Sequence, residues 1–251
     1  MAEAPDPAPP PTLVAATDRG RSRTRNEDAH LVDASDGLIA VADGMGGHPA
    51  GDVASAVAVE EVARHLRGPA SPEPLGERML HAVLRADARV RDVGSADPAR
   101  HGMGTTLTAL IAPPGAGRVV IGHVGDSRAY LFENGRIRQL TRDHTWIEQQ
   151  IATGALTRDE AHGHRWSHVL TQAAGAGDEI DPDVLELEAS PGQVYLLCSD
   201  GLTNMLTDLA IERTLGDTLP MGLEATAWAL VDGANDRGGV DNITVALLRV
   251  D

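Results

Sequence analysis

Two apolar, strand-like runs of this chain each end in Asp-Gly, and this repetition constrains the fold more than any other feature of the sequence. The run Leu38–Ala42 leads into Asp43-Gly44, and a second apolar run leads into Asp200-Gly201. A third carboxylate, Asp241, stands just ahead of the last apolar run. Burying three carboxylates together is unfavourable without cations, because like charges repel and lose hydration. We therefore expect these strand ends to converge on a cation site.

The expected ligands of this site are all oxygen atoms. Carboxylates, the carbonyl of Gly44 and water suit Mg²⁺ or Mn²⁺ rather than zinc. Two such ions, roughly 3.5–4 Å apart, can hold a hydroxide and clamp a phosphoryl group. The alternative is that each strand-end Asp only forms a turn, which is the usual role of a single such residue. Asp126, between two further strands, is either a turn residue or the ligand of an additional ion, and its spacing leaves both open.

Other polar clusters also have two interpretations. Four arginines and three acidic residues between Asp18 and Asp28 form either a solvated loop or part of the site beside the central strand. A zinc site could be assembled from His144, His162, His164 and His168. Their spacing matches no strong zinc pattern, so solvated or capping histidines are favoured. Cys198 is favoured as a small core residue rather than a nucleophile, because no phosphate-binding loop follows it.

The composition disfavours several classes of partner. The net charge of the 251 residues is −16 at pH 7, which argues against nucleic acid and anionic membrane surfaces. Three Trp, two Tyr and one Phe offer few platforms for base stacking. No apolar run approaches the roughly 18 residues that span a bilayer, and no secretion signal begins the chain. With one cysteine and therefore no internal disulfide, we expect a cytoplasmic protein.

Residues 1–11 are rich in Pro and Ala and predict a disordered leader before a single domain, residues 12–251. We expect no sensor or membrane anchor after Asp251. Apolar spacing predicts helices over 49–66, 75–93, 146–152, 158–162, 212–215 and 223–234. Strands are predicted over 12–17, 29–32, 38–42, 105–111, 118–124, 129–133, 137–140, 183–187, 193–199 and 240–250.

The turn signals indicate how these strands pair. Asp36-Gly37 and Asn134-Gly135 predict tight antiparallel hairpins. We expect an antiparallel meander over residues 105–140, and the strands 183–187 and 193–199 as the next pair. Residues 145–180 break the pattern and predict an irregular flap on a sheet edge. Two sheets packed face to face with helices outside follow from this order.

Taken in order, seven motifs resemble those of the metal-dependent protein phosphatase (PPM) family, the type 2C serine/threonine phosphatases, and especially its stand-alone bacterial members. The motifs are Arg23–Asp28, Ala42–His48, Gly102–Thr106, His123–Arg128, Thr141–His144, Leu197–Gly201 and Asp241–Val245. They span the chain from near residue 12 to its end. The resemblance implies an α+β fold, a four-layer α-β-β-α sandwich of two mainly antiparallel sheets flanked by helix pairs.

The resemblance also implies two catalytic Mn²⁺ or Mg²⁺ ions and a third, weaker one. Asp43 would bridge the two catalytic ions, and the Gly44 carbonyl would bind one of them. Asp200 and Asp241 would hold the other ion, and Asp126 would hold the third.

Further roles are implied for residues around the ions. Arg23 matches the arginine that clamps the substrate phosphate, a task that suits its bidentate hydrogen bonding. Glu27 and Asp28 match acidic residues that organise water on the metals, and Asn242 stands beside them in the surrounding shell. Met45 occupies the position where animal members place a histidine that protonates the leaving group. We expect a water on the third ion to serve instead.

The implied reaction is hydrolysis of phosphoserine and phosphothreonine on proteins, by direct attack of a water that bridges the two ions. The enzyme would oppose a bacterial serine/threonine kinase, and we expect it to be a monomer. The segment Arg165–His168 of the flap is a hypothetical determinant of substrate preference. Two alternatives are a catalytically silent phosphoprotein-binding relative, which the intact ligand set disfavours, and another two-metal phosphoesterase such as a nuclease, which the negative charge disfavours.

Overall fold

The computed structural model describes residues 11–45, 50–67, 72–161, 163–177 and 179–251. The predicted leader, apart from Pro11, lies outside these residues, as do His48, Pro49 and His162. Within the same ranges, no helix combines the length and the apolar character needed to cross a membrane.

Two antiparallel sheets form the centre of the fold. Their strands are β1 (Thr12–Asp18), β2 (Asp28–Asp33), β3 (Leu38–Met45), β4 (Gly104–Thr105), β5 (Leu107–Ile111), β6 (Arg118–Val124), β7 (Arg128–Glu133), β8 (Arg136–Gln139), β9 (Asp183–Glu188), β10 (Val194–Cys198) and β11 (Ile243–Arg249). One sheet has the order β1-β11-β10-β7-β8. The other has the order β2-β3-β5-β6-β9, with β4 paired to the end of β3.

Two pairs of helices cover the outer faces of the sheets, and shorter helices lie in the flap and directly after β10. They are α1 (Gly51–Leu66), α2 (Leu75–Ser95), α3 (Trp146–Ala152), α4 (Arg158–Ala161), α5 (Asp200–Thr203), α6 (Asp208–Thr218) and α7 (Leu223–Asp236), with short 3-10 turns at Pro98–Arg100 and Leu219–Met221. Helices α1 and α2 share a buried cluster with β3, β5 and β6. Helices α6 and α7 share another with β10 and β11. A third cluster, which includes Ile39, Ile121 and Leu197, fills the space between the sheets.

Helix α2 shows how the sequence produces this packing. Met79, Val83, Ala86 and Val90 recur at helical spacing and are buried. They form one apolar stripe that lies on β6, where Gly122 leaves room for the side chain of Met79. Burial of each large side chain in such a stripe contributes about 1.5–3 kcal/mol.

The predicted meander over residues 105–140 is wrong, because the chain changes sheet in the middle of it. Strands β5 and β6 pair in one sheet, whereas β7 and β8 pair in the other. The predicted pairing of residues 183–187 with 193–199 is also wrong, since β9 pairs with β6 and β10 pairs with β7 and β11. Central strands of both sheets are covered on both faces, so their sequences look alike whichever sheet they join.

Several element bounds also differ from the prediction. Strand β3 runs three residues further, through Met45, because Gly44 and Met45 pair with β4. The predicted strand over 105–111 is divided into β4 and β5 at Thr106. The short helix α5, which begins at Asp200, was not predicted. The hairpin of β2 and β3 around Asp36-Gly37 was predicted and is present.

Candidate metal centre and active site

A single pocket at one end of the two sheets collects most of the predicted site residues. Its lining includes Arg23, Glu27, Asp43, Gly44, Asp126, Asp200, Asp241 and Asn242. Asp28 does not line the pocket, although it lies across from the pocket residue Asp43 in the pairing of β2 with β3. The pocket is also lined by Leu170 and Asn204, which the sequence analysis did not single out. Thr106 and His168 line it as well, although neither was predicted as a metal or phosphate ligand of this site.

The backbone at Asp43 is held by the segment Gly104–Thr106. The Asp43 amide donates to Thr106 Oγ1 at 2.9 Å, and the Asp43 carbonyl accepts from the Thr106 amide and from Thr105 Oγ1, both at 2.9 Å. Gly44 is crowded, because a Cβ there would lie 2.1 Å from the carbonyl oxygen of Gly51. The end of β3 is therefore fixed in place, with Asp43 directed into the pocket.

Asp28 lies directly across from Asp43 in the β2–β3 register. Its Oδ2 accepts a hydrogen bond from Ser199 Oγ at 2.8 Å. Its Oδ1 is buried and has no hydrogen-bond partner. A buried carboxylate oxygen without a partner is costly in free energy unless a proton or a cation is supplied.

Asp200 enters the pocket from the start of α5. This short helix begins directly after β10, with Ser199 at the N-cap position. Asn204, one turn later, donates its Nδ2 to Asp200 Oδ2 at 3.0 Å. Asp200 Oδ1 is buried and unpartnered, like the oxygen of Asp28. Gly201 is needed here because a Cβ would lie 1.9 Å from the carbonyl oxygen of Asn242.

The loop that carries Arg23 is tied to the residues just before β11. Asn242 Nδ2 donates to the carbonyls of Arg19 and Arg25, at 2.9 and 2.8 Å. Asn242 Oδ1 accepts from the Glu27 amide at 2.8 Å. These three hydrogen bonds hold the arginine-rich loop against Asn242. Arg23 Nη2 then forms an ion pair with Asp241 Oδ2 at 2.6 Å.

Asp126 lies in the segment where the chain passes from one sheet to the other. Gly125 has φ of +105°, and a Cβ there would be 2.7 Å from Thr106, so both backbone and space favour glycine. The His144 amide donates to the Gly125 carbonyl at 2.7 Å. The Gly125 amide in turn donates to His144 Nδ1 at 3.3 Å, while His144 Nε2 contacts Asp183. His144 thus fixes the turn that carries Asp126.

Burial and mutual repulsion raise the pKa values of the clustered carboxyl groups. Burial, with a smaller contribution from Asp200, raises the pKa of Asp28 to about 7. The same two causes raise the pKa of Asp126 to about 7. The pKa of Asp43 is raised well above its usual value, first by burial and then by four neighbouring carboxylates. The pKa of Asp200 is raised by burial and by Asp241. The protein alone does not compensate this negative charge.

The donor set fits hard divalent cations. Across the described ranges, no three His, Cys, Asp or Glu side chains converge closely enough to coordinate one ion by themselves, and Asp241 is paired with Arg23 instead. The unpartnered oxygens of Asp28 and Asp200 nevertheless lack the positive charge that a cation provides. The donors of the predicted ligand set are all oxygen atoms, the ligands that Mg²⁺ and Mn²⁺ prefer.

The alternative zinc site is not assembled among the described residues. His144 bonds to Gly125 and Asp183, His164 stacks on Trp146, and His168 lines the acidic pocket. His162 lies outside the described residues. Cys198 is buried in the core, and burial raises the pKa of its thiol to about 12, which disfavours the thiolate needed by a nucleophile.

Comparison with known proteins decides the family. Residues 17–230 match the family model described as protein phosphatase 2C. The chain belongs to the protein phosphatase 2C family. It is 39% identical over 244 residues to the serine/threonine protein phosphatase PstP of Mycobacterium tuberculosis. The matched region is 94% of this chain but only 44% of the length of PstP. It is 35% identical over 241 residues to the serine/threonine phosphatase stp of Listeria monocytogenes, and the matched region is 94% of each chain.

A solved structure extends this match to three dimensions. The catalytic domain of the serine/threonine protein phosphatase PstP in complex with two manganese ions aligns with a TM-score of 0.85 and 34% identity, over 96% of this chain and 99% of that one. The predicted family and the predicted α+β sandwich with two antiparallel sheets are thereby confirmed for this protein phosphatase 2C chain.

Some residues of this phosphatase 2C pocket that contact the predicted carboxylates were not predicted from the sequence. Asn204 follows Asp200 by four residues, a helical spacing that would have indicated a contact had α5 been recognised. Thr106 lies inside the motif Gly102–Thr106, but its bond to Asp43 spans 63 residues and left no local signal. His168 ends the flap segment Arg165–His168, which was predicted to influence substrate preference, but no periodic pattern indicated that its side chain lines the pocket.

Proposed function

We propose that this chain is a metal-dependent serine/threonine protein phosphatase, which hydrolyses phosphoserine and phosphothreonine on proteins. The observation that carries the proposal is that Arg23 lines the same pocket as a cluster of buried carboxylates. The pKa of Asp43 is raised there, and Asp200 Oδ1 has no hydrogen-bond partner. The match to serine/threonine phosphatases of the 2C family supports the reaction class.

The pocket residues take the following roles in the proposal. Two ions, Mn²⁺ or Mg²⁺, are held by Asp43, the Gly44 carbonyl, Asp200 and Asp241, and a third is held by Asp126. When bound, such ions acidify water and neutralise the phosphoryl oxygens. The two-manganese complex of PstP supports this cofactor.

Arg23 binds the phosphate of the substrate in this proposal. Its side chain is half exposed at the pocket and its guanidinium already pairs with a carboxylate oxygen. Two oxygens of a phosphate can accept side by side from a guanidinium, and the phosphate carries a higher charge than a carboxylate, so it can replace Asp241 as the partner. Around the ions, Asn242 fixes the arginine-rich loop by the hydrogen bonds described above. Glu27 and Asp28 orient water.

The finer points of the proposal concern its setting. Residues 12–251 form one catalytic domain, with the flap at about 145–180 contributing His168 and Leu170 to the pocket wall. The substrate chemistry requires a serine/threonine kinase that supplies the phosphoprotein. We further propose that the enzyme acts as a monomer in the cytoplasm.

Release of inorganic phosphate from a phosphothreonine peptide tests the proposal. Purified protein is compared in Mn²⁺, Mg²⁺ and EDTA, together with Asp200→Asn and a control, Asp217→Asn, which removes an exposed carboxylate on α6. Metal-dependent release that is lost only in Asp200→Asn is the expected result. Folded protein that binds Mn²⁺ yet releases no phosphate would overturn the proposal and favour a silent phosphoprotein-binding module.

A further inference from the structure

We infer that Asp87, on helix α2 and outside the pocket, is a positioning residue that fixes the end of β3 through the glycine-rich segment Ala173–Gly177. The inference rests on the proposed function for its catalytic readout, but its structural part can be tested without catalysis. It assigns a role to a buried charge that the pocket itself does not use.

Asp87 is almost completely buried, although aspartate is rarely buried without a specific partner. Its Oδ1 accepts a hydrogen bond from the Gly175 amide at 2.8 Å. Its other oxygen pairs with Arg91, one turn further along α2. Arg91 Nη1 also donates to the Gly177 carbonyl at 3.2 Å. Asp87 and Arg91 therefore both hydrogen-bond to the backbone of the segment Ala173–Gly177.

The glycine-rich segment is pressed closely onto α2 and onto the residues before β4. Gly175 has φ of +83°, and a Cβ there would lie 2.2 Å from Val90 Cγ1. A Cβ on Gly104 would lie 2.5 Å from the Cβ of Ala176. Contacts this close leave the segment one position on the helix, provided that its backbone polar groups are satisfied.

The next link joins this segment to the strand end that carries Asp43. Ala174 and Thr105 exchange both backbone hydrogen bonds, at 2.8 and 3.0 Å. Thr105 Oγ1 and the Thr106 amide then hold the Asp43 carbonyl, as described above. Gly44 and Met45 pair with Thr105 and Gly104 of β4. A continuous series of hydrogen bonds thus leads from the Asp87 carboxylate to the backbone of Asp43.

The direction of the effect follows from the geometry. Without the carboxylate, the Gly175 amide is buried against α2 with no acceptor, which favours displacement of the segment. Displacement breaks the Ala174–Thr105 pair and loosens the backbone that sets the direction of Asp43. Small misplacements of groups at a reacting centre lower rates strongly. The effect reaches the pocket although Asp87 is not among the residues that line it.

Three variants test this role. Asp87→Ala removes the acceptor, and Asp87→Asn keeps an oxygen for the Gly175 amide. Asp92→Ala is the matched control, because it removes an exposed carboxylate from the same helix. The amides of Ala174, Gly175, Thr105 and Thr106 are followed by hydrogen exchange in metal-free protein. Mn²⁺ affinity is measured by calorimetry, and kcat and KM are measured on a phosphothreonine peptide over a range of Mn²⁺ concentrations.

We expect exchange of these four amides to accelerate by at least about tenfold in Asp87→Ala and to remain unchanged in Asp92→Ala. Asp87→Ala should also bind Mn²⁺ more weakly and show a lower kcat with little change in KM, and Asp87→Asn should recover most of both. A loss of thermal stability with wild-type kcat, KM and Mn²⁺ affinity would overturn the inference, since it would indicate a purely structural role. Exchange rates equal to those of Asp92→Ala would also overturn it.

The test still decides the role of Asp87 if a variant does not fold or if the wild type is inactive. If Asp87→Ala does not fold, the comparison of Asp87→Asn with Asp92→Ala carries the same test, with a smaller expected acceleration at Gly175. If the wild-type protein releases no phosphate, the proposed function fails, while the exchange rates and Mn²⁺ affinities still decide the role of Asp87.

Discussion

Arg23 and Asp241 form an ion pair, 2.6 Å from Nη2 to Oδ2, between residues 218 positions apart in the chain. The pair joins the proposed phosphate clamp to a proposed metal ligand. In the proposed mechanism, Asp241 releases Arg23 when Asp241 binds a metal ion and Arg23 binds the substrate phosphate. The Asn242 bonds to the arginine loop hold the two residues within reach of each other.

Replacing Arg23 tests its role as a phosphate clamp. We expect Arg23→Ala to lower kcat/KM on a phosphothreonine peptide by about 10- to 100-fold, because a charge-assisted bidentate contact is lost. Arg23→Lys should recover only part of this, since an ammonium group is a single point charge. The measurement is steady-state phosphate release at saturating Mn²⁺.

The control for this prediction is Arg25→Ala, which removes an exposed arginine of the same loop. Its kcat/KM should stay close to that of the wild type. Equal losses in Arg23→Ala and Arg25→Ala would indicate that general positive charge, rather than a specific clamp, accounts for the effect.

The crowding of carboxylates predicts opposite effects of Asp126→Asn with and without metal. In EDTA at pH 8 the variant should unfold at higher urea concentration than the wild type, with a gain of about 1 kcal/mol, because one buried negative charge is removed. In Mn²⁺ the wild type should gain more stability than the variant, since it has one more ligand. An Asp126→Asn protein less stable than the wild type in EDTA would argue that Asp126 is a structural turn residue.

The close contact at Gly201 predicts a strong effect of a single methyl group. Gly201→Ala would place a Cβ against the Asn242 carbonyl, so the backbone beside Asp241 must move. We expect a loss of at least about 2 kcal/mol in the free energy of unfolding, as for other overpacked sites, and a large drop in phosphatase activity. Urea denaturation and phosphate release measure the two effects.

Gly216 supplies a matched comparison for Gly201. It lies inside α6, and a Cβ there would meet nothing within 4 Å. Gly216→Ala should therefore increase stability by about 0.5–1 kcal/mol, the usual difference between Gly and Ala in a helix. Its activity should be unchanged. If both alanine variants behaved alike, the crowding at Gly201 would not be the cause.

Buried His123 predicts sensitivity to acid. Its ring bonds to Thr108 and to the Arg142 carbonyl, and burial, with a smaller contribution from His144, lowers its pKa to about 3. The unfolded chain has a pKa near 6.5 at this residue, so protonation below that value favours unfolding. The stability from neutral His123 is thus complete above about pH 6.5 and is lost as the pH falls towards 3.

Urea unfolding in EDTA at pH 7 and pH 5 measures this linkage against His123→Asn. The wild type should lose about 2 kcal/mol more than the variant over these two pH units. Other titrating groups are common to both proteins and cancel in the difference. A difference that does not change with pH would mean that His123 takes up protons as readily in the folded protein as in the unfolded chain.

Much of the site was predictable because its chemistry is written in short local patterns. Asp43 and Asp200 each follow an apolar run and precede a glycine, and both glycines are required by contacts under about 2.2 Å that only a missing Cβ avoids. The periodic spacing of Met79, Val83 and Val90 likewise predicted α2 within two residues of its observed end. Such features depend on neighbours in sequence, so the sequence displays them.

The errors arose where two distant segments compete for the same neighbour. Strands β6 and β7 follow each other closely, yet they enter different sheets, because Gly125 turns the chain across the sandwich. Strand β3 extends past Asp43 only because β4, about 60 residues later, supplies its hydrogen bonds. No local pattern records which of two apolar strands will be the partner.

Residue types and their order along the chain were enough to predict the family, the class of fold and the acidic residues of the proposed site. The folded structure was needed to establish the Arg23–Asp241 pair and the hydrogen bond from the Gly175 amide to Asp87. It was also needed to show that one oxygen each of Asp28 and Asp200 is buried without a partner. These contacts depend on burial and on distances below about 3 Å, at which hydrogen bonds form. Segments more than 80 residues apart reach such distances only when both sheets and α2 pack together.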